Sequence, residues 1–201
     1  MGMKELLLGT NNRGKVEEME DILKNLDIHL LTPAMLNLNL EIPEDGETYE
    51  ENAAIKATAF SYASRLPCLA DDSGLEVVVL GGLPGLHSHR FAPQAGASDA
   101  DRRAYLLEQL QGKPRPWTAH FRATIVIVHP DGRKRTARGA CAGEIILEER
   151  GVNGFGYDPI FLIPSLGRTM AELDMEEKNK ISHRANALRN AEVAIRELLG
   201  L

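Results

Sequence analysis

The sequence contains only two cysteines in 201 residues, Cys68 and Cys141. They lie far apart and lack metal-ligand spacing, so both read as buried thiols of a reducing compartment. No run of about 18 apolar residues occurs, which leaves no membrane-spanning segment. The start carries Lys4 and Glu5 and has no apolar signal region, so a cytoplasmic protein is expected. There is no basic excess either: 23 Lys and Arg stand against 29 Asp and Glu, for a formal net charge of −6. A nucleic-acid polymer needs a basic footprint, and this balance argues against one as partner. Internal repeats and low-complexity tracts are absent. What is present is 43% hydrophobic and 26% charged residues, the composition of a globular chain with a real core. The length suits a single domain over 1–201, compact or two-lobed.

One further absence is local. Leu6-Leu7-Leu8 reads as a strand, and Gly9-Thr10-Asn11-Asn12-Arg13-Gly14-Lys15 follows with the spacing of a phosphate-cradling P-loop. The Ser or Thr that would hold Mg²⁺ is missing, and Val16 stands in its place. A nucleotide kinase of the P-loop type is thereby disfavoured. A magnesium-bound nucleotide would need metal ligands from elsewhere in the chain.

Periodicity places Val16, Met19, Leu23 and Leu26 on one helical stripe. A short strand is expected over 27–31, then loop over 32–45. Thr48-Tyr49-Glu50-Glu51 is a capping-box pattern opening a helix to about Ser64. Two strands are expected over 67–70 and 75–80, separated by Asp71-Asp72-Ser73-Gly74. A Gly- and Pro-rich loop follows over 81–97. Ser98 caps a third helix with Ala100, Ala104, Leu107 and Gln111 in line. Runs 120–129 and 136–147 form a hairpin about Pro130-Asp131-Gly132. A Gly-rich loop over 151–159 and a helix from about Ser182 complete the chain. Hairpin and crossover strands mixed with helices imply an α/β fold with a mixed sheet.

Several residues carry chemistry in this pattern. Lys15 sits at a helix start, where backbone N–H groups and the helix dipole favour anions; the alternative is a solvated lysine. Asn52 and Lys56, four apart, share a helix face opposite Ala53, Ala57 and Phe60, and spacing alone reads that face as solvated. Asp71-Asp72-Ser73-Gly74 is the strongest local signal. Adjacent strand side chains point opposite ways, so the two aspartates have different jobs, one toward a site and one tying down the turn. Carboxylates suit Mg²⁺, and Glu44 is a possible second ligand. In Asn153-Gly154-Phe155-Gly156-Tyr157-Asp158-Pro159 a Phe between glycines either stacks on a base or plugs the core. Lys178, His183 and Arg184 form a second basic cluster near a helix start. Arg133-Lys134-Arg135 reads as a solvated strand edge.

Taken together, these segments resemble the inosine triphosphate pyrophosphatase family, the Ham1-like house-cleaning nucleotide pyrophosphatases. The matching pieces are Thr10-x-Asn12-x-x-Lys15, Thr48-Tyr49-Glu50-Glu51-Asn52-Ala53 with Lys56, Ala70-Asp71-Asp72-Ser73-Gly74-Leu75, Gly154-Phe155-Gly156-Tyr157-Asp158-Pro159-Ile160-Phe161, and Ser182-His183-Arg184. They run in order through nearly the whole chain. The resemblance implies an elongated, two-lobed fold with a central mixed sheet flanked by helices, the site in the cleft between lobes, and a homodimer. It implies Mg²⁺-dependent hydrolysis of deaminated purine nucleoside triphosphates (ITP, dITP, XTP) to the monophosphate and pyrophosphate. Asp72 would be the general base and, with Glu44, a metal ligand. Thr10, Asn12, Lys15 and Lys56 would hold the triphosphate, and Ser73 would line the substrate site. Phe155 would stack on the base, with Gly156, Tyr157 and Asp158 beside it. Lys178, His183 and Arg184 would contact the sugar, the base and its 6-oxo group. Gly9 carries none of this resemblance. Ser88-His89-Arg90 departs from the family's common Ser-Ala-Arg. A nucleotide-binding sensor without turnover is the reading from a different class, and the carboxylates weigh against it.

Overall fold

The computed structural model describes residues 3–201. Strands β1 (Lys4–Leu8), β2 (Ile28–Leu31), β3 (Cys68–Val77), β4 (Trp117–Val128), β5 (Lys134–Ile145), β6 (Phe161–Ile163) and β7 (Arg168–Thr169) form one sheet in the order β2-β1-β3-β4-β5-β6-β7. β1 pairs in parallel with β2 and with β3, whereas β5–β6 and β6–β7 are antiparallel. The sheet is therefore mixed, as the pattern of hairpin and crossover strands implied. Helices are α1 (Arg13–Leu23), α2 (Tyr49–Ser64), α3 (Asp99–Gln109), α4 (Met175–Ile181) and α5 (His183–Leu199). Among the described residues no helix is long and apolar enough to cross a membrane.

The chain divides into two compact units. The first comprises residues up to Asp72, Ala123–Gly139 and Arg184–Leu201; the second comprises Ser73–Arg122 and Ala140–His183. In the first, strand alternation sorts the core onto two faces. Leu6, Leu8, Leu69, Ile125 and Ile127 pack with Met19 and Leu23 of α1 and with Leu188, Ala191 and Ile195 of α5. On the opposite face Leu7 and Cys68 pack with Phe60 of α2, and Ala70, Val126 and Val128 pack with Ala53 and Ala57. Both faces are covered, which is why β1 reads as a continuous apolar run instead of an alternating one. In the second unit Leu75, Val77, Trp117, Phe121 and Ile145 gather with Leu106 of α3, with Leu110 at its C-cap, and with Phe161, Met170 and Leu173.

Four sequence expectations are corrected here. Asp71-Asp72-Ser73-Gly74 is not a turn; β3 runs through it without a break, because each aspartate finds partners on its own face of the sheet. Asn52 and Lys56 do not form a solvated face but are buried beside Ala53 and Ala57. Neighbouring positions on a helix are only about 100° apart, so one broad buried sector takes in all four. The inner face of α3 is Arg102 and Leu106, continued by Leu110 at its C-cap; of the expected stripe Leu107 packs partly against the core, while Ala100, Ala104 and Gln111 are exposed. An arginine on the inner face hides the apolar stripe. Its stem packs while its guanidinium donates to Ala97 O at 2.6 Å and His89 O at 3.1 Å. Glu51 does not close a capping box on Thr48; its carboxylate accepts from Glu47 N at 2.7 Å instead, while Thr48 Oγ1 caps Glu51 N at 3.1 Å. Strands β6 and β7 are too short to show alternation. Helix α4 did leave a signal, the Asp174-x-x-Glu177 capping box that opens it.

Gly9, silent in the sequence reading, has a packing role. A Cβ there would lie 2.9 Å from Cys68 Sγ and 3.2 Å from both Ala70 Cβ and Phe60 Cδ2. Gly9→Ala is therefore expected to destabilise the fold by about 1–3 kcal/mol through overpacking. Urea denaturation measures this; an unchanged midpoint and slope would show that the neighbours yield freely.

Candidate active site

β3 supplies the site's first carboxylate. Asp72 shares its face with Cys68 and Ala70 and so points toward α2. Its Oδ2 accepts from Asn52 Nδ2 at 3.2 Å, and its Oδ1 lies 3.2 Å from Lys56 Nζ. The same ammonium reaches Glu44 Oε1 at 3.3 Å. The Asn52 side chain, 1% exposed, works in two directions, since its Oδ1 also accepts from Gly46 N at 2.8 Å. That bond ties the loop bearing Glu44 to the helix that holds Asp72. A side chain at 46 would strike Asn52 Oδ1 at 2.8 Å and Glu51 Cβ at 2.7 Å, so glycine is required for the close approach. Burial pushes the Asp72 carboxyl above the usual carboxylate range, with Asp71 and Glu44 adding to it against Lys56 and Lys15. Burial draws the Lys56 ammonium down, but the carboxylates of Asp72, Asp71 and Glu44 together carry it above its ordinary value.

Asp71 points the other way, toward α1 and α5. Its Oδ1 lies 2.8 Å from Lys15 Nζ, and its Oδ2 accepts from Arg184 Nε at 3.1 Å. Arg184 is 1% exposed and also pairs with the buried Glu18. Burial alone would raise Asp71, but Arg184 and Lys15 overcome it and hold the carboxyl far below the usual range. Arg184 is carried upward by its two carboxylates. Lys15 is lowered, first by burial and then by Arg184 and Lys56, against the pull of Asp71. The loop before α1 braces itself: Asn12 Oδ1 caps Lys15 N at 3.1 Å, and Thr10 Oγ1 accepts from Asn12 N at 3.1 Å. The open N–H groups of the first turn of α1 favour an anion beside Lys15.

In the second unit the loop 151–158 gathers a second set. Asp158 is buried, and its Oδ2 accepts from Phe155 N at 3.0 Å and from Lys178 Nζ at 2.6 Å. Lys178 Nζ stands 5.1 Å from the Phe155 ring centroid, a cation–π contact. Gly154 is left-handed, and a Cβ there would strike Asp158 Oδ2. Both polar groups of the Gly156 peptide are held, as described below. Tyr157 is part of the apolar core, with its hydroxyl donating to Ser88 O at 2.9 Å, and burial raises its phenol strongly. His183 stacks on Phe121 with centroids 4.8 Å apart and planes at 16°. Ser73, half-buried in β3, is the first residue of this unit. In the divergent Ser88-His89-Arg90 stretch, Ser88 Oγ accepts from Leu75 N at 2.8 Å and Arg90 Nε donates to His87 Nδ1 at 3.2 Å.

Within the first unit, then, Lys15, Lys56, Asp72, Glu44 and Arg184 fall into two linked ionic sets; within the second, Phe155, Asp158 and Lys178 fall into one. Glu18 was missed by sequence reasoning. Glu18 lies three residues after Lys15 on α1, a spacing that signals a shared face, but an acidic residue on a helix reads as solvated by default. The donor set also bears on metals. Glu44 and Asp72 are two hard carboxylates converging on one point, and no group of three or more His, Cys, Asp or Glu occurs among the described residues. That fits a hard cation that takes one or two protein carboxylates and completes its shell with water and phosphate oxygens, not a softer metal needing nitrogen or sulfur.

The sequence profile of the Ham1 family matches residues 6–193. The chain belongs to the Ham1 family. A curated dITP/XTP pyrophosphatase of Desulforamulus reducens is 46% identical over 188 residues, 93% of each chain. One from Thermus thermophilus is 46% identical over 191 residues, 94% of this chain and 89% of the relative. The solved structure of a Ham1 protein from Coxiella burnetii superposes with a TM-score of 0.87 at 40% identity, covering 97% of this chain and all of that one.

Within this Ham1 chain the Asp71 pairing generates a stability prediction. Asp71→Ala leaves Arg184 and Lys15 as buried cations short of a counter-charge, and such a loss costs about 3–5 kcal/mol. The folded carboxyl titrates below its unfolded value, so its contribution is complete above about pH 4 and fades as pH falls. Urea titrations of both proteins between pH 3 and pH 7, values chosen to bracket that range, should show the gap shrinking toward acid. A gap independent of pH would contradict the ionic origin.

Proposed function

We propose that this chain is a nucleoside triphosphate pyrophosphatase that hydrolyses deaminated purine nucleotides, ITP, dITP and XTP, to the monophosphate and pyrophosphate. The observation that carries the reading is the Asp72 carboxylate, raised by burial, braced by Asn52 and sharing the Lys56 ammonium with Glu44. The activity for which the curated relatives are named, dITP/XTP pyrophosphatase, supports the substrate class.

In this reading Asp72 is the general base. It takes a proton from a water whose oxygen bonds to the α-phosphorus, and the bond from that phosphorus to the bridging oxygen breaks to release pyrophosphate. A carboxyl held above its usual range is a better proton acceptor than a solvent-exposed one. Asn52 and Lys56 fix its two oxygens, so little reorientation is needed at reaction. Mg²⁺, held by Glu44 and Asp72, would supply Lewis acidity toward phosphate oxygens and charge neutralisation. Lys15 and Lys56, with Thr10 and Asn12, hold the triphosphate and offset charge that grows on its oxygens, which favours the transition state over the bound substrate.

Base choice rests on donors. The 6-position of hypoxanthine or xanthine accepts a hydrogen bond, while that of adenine donates. Arg184, Lys178 and backbone N–H groups donate, and an adenine would leave buried donors facing donors at about 1–3 kcal/mol each. Phe155 supplies the stacking face, with Gly156, Tyr157 and Asp158 beside it. Ser73 lines the site, and His183 contacts the base. We place the enzyme in the cytoplasm as a homodimer; two buried free thiols are compatible with a reducing compartment, and the family resemblance supports the dimer.

A pyrophosphate-release assay with Mg²⁺ on inosine, xanthosine, adenosine and guanosine triphosphates tests the proposal. Inosine and xanthosine forms should exceed adenosine by about tenfold or more, the equivalent of one unpaired donor. Equal rates on all four would remove the specificity, and release of orthophosphate alone would remove the chemistry. Asp72→Asn should lose about 10²–10⁴-fold in kcat; near-normal turnover would remove Asp72 from its role.

A further inference from the structure

Helix α3 lies outside every residue assigned above, yet two of its side chains hold the loop that carries Phe155. Asp99 Oδ2 accepts from Gly156 N at 2.8 Å, and Arg103 Nη1 donates to Gly156 O at 2.8 Å. The two residues are one turn apart and so share a helix face. Each is itself fixed. Arg103 makes a two-pronged pair with Glu149, at 2.8 and 2.9 Å. Asp99 pairs with Arg102, whose guanidinium is anchored on the carbonyls of Ala97 and His89. Gly156 is left-handed with open space where a Cβ would stand, so what requires glycine there is backbone conformation and not crowding.

The loop is thus locked on both sides of Phe155. Asp158 takes the N–H of Phe155, and α3 takes both polar groups of Gly156. A loop of glycines on either side of an aromatic would otherwise sample many ring orientations, and ordering it at the moment of binding would cost conformational entropy. We infer that Asp99 and Arg103 are positioning residues that hold Phe155 in one orientation and thereby set the enzyme's choice of purine base. They do this through the backbone, without touching the base. The inference rests on the proposed role of Phe155 as the stacking face.

The test compares Asp99→Ala, Asp99→Asn, Arg103→Ala and the parent, each in active and Asp72→Asn backgrounds. Calorimetry on the Asp72→Asn proteins measures binding of inosine and adenosine triphosphates; turnover on the active proteins gives kcat and KM. Asp99→Ala and Arg103→Ala should weaken inosine triphosphate binding about tenfold and shrink its preference over adenosine triphosphate, with kcat within about twofold, as expected for misplacement of a binding surface. Asp99→Asn keeps an acceptor for Gly156 N–H and should retain the parent's affinity and preference. Unchanged binding in both alanine variants overturns the inference. So does an equal fall in kcat for every triphosphate, or an Asn variant as impaired as Ala. A parent that binds inosine triphosphate but releases no pyrophosphate overturns the proposed activity alone, and the binding comparison still decides the role of α3.

Discussion

The two-residue period of a single strand is the constraint on which this site depends. β3 is covered on both faces, so neighbouring side chains enter different environments. Asp71 and Asp72 are adjacent in sequence and have the same chemistry, yet one is driven far below its usual titration range and the other above it. The difference lies in what each face presents. Toward α1 and α5 there are two cations for Asp71, one of them an arginine that cannot lose its charge. Toward α2 there is one lysine, shared with Glu44, and an amide. One carboxylate is held as an anion by two cations, and the other is left easier to protonate. A slip of one residue in β3 would interchange the two.

Burying this many charges is expensive, and the structure tolerates it because no charge is buried alone. Lys15, Asp71, Arg184 and Glu18 form a chain in which each group touches an opposite charge. Such a chain contributes little net stability relative to apolar packing of the same volume, but removing any member is costly. Its consequence is geometric: it fixes the start of α1, and with it Lys15, to the strand that carries Asp72.

The legibility of the sequence follows the same division. The apolar runs of β1 and β4, the Thr48 and Ser98 caps and the mixed character of the sheet could be read because each rests on local pattern or local hydrogen bonding. The different partners of Asp71 and Asp72 were also legible, from alternation alone. Other features were not. Polar residues in a strand interior read as a turn, so the continuity of β3 was lost. Asn52 and Lys56 read as solvated because their partners lie elsewhere in the chain: Asp72 and Gly46 are 20 and 6 residues from Asn52, and Asp72 and Glu44 are 16 and 12 residues from Lys56. Arg102 broke the stripe of α3, and with it went the inner face of that helix and the neighbouring pair that grips Gly156. In each case the missing information was the partner of a buried polar group, which hydrophobic periodicity does not encode. The resemblance to a family supplied the roles proposed for Phe155 and Lys178; composition and spacing left the Phe equally a core plug.

The opening loop, with its lysine but no metal-binding hydroxyl, can now be placed in an electrostatic balance. Around Asp71 and Asp72 stand three cations, Lys15, Lys56 and Arg184, and four carboxylates, the two aspartates with Glu18 and Glu44. Formally the cluster carries one net negative charge. Its lysines are therefore not a free positive patch awaiting phosphate; each is already engaged by a carboxylate. A triphosphate approaching such a cluster meets repulsion from Glu44 and Asp72 unless further positive charge accompanies it. Val16 in place of a hydroxyl residue is consistent with this arrangement. The position packs partly against the core formed with Met19 and Leu23, and the oxygen donors proposed for a hard cation lie instead on β3 and on the loop that Asn52 ties to it. In the proposed mechanism the cation ligands and the base are the same pair of carboxylates, which would couple nucleotide capture to the group that activates water.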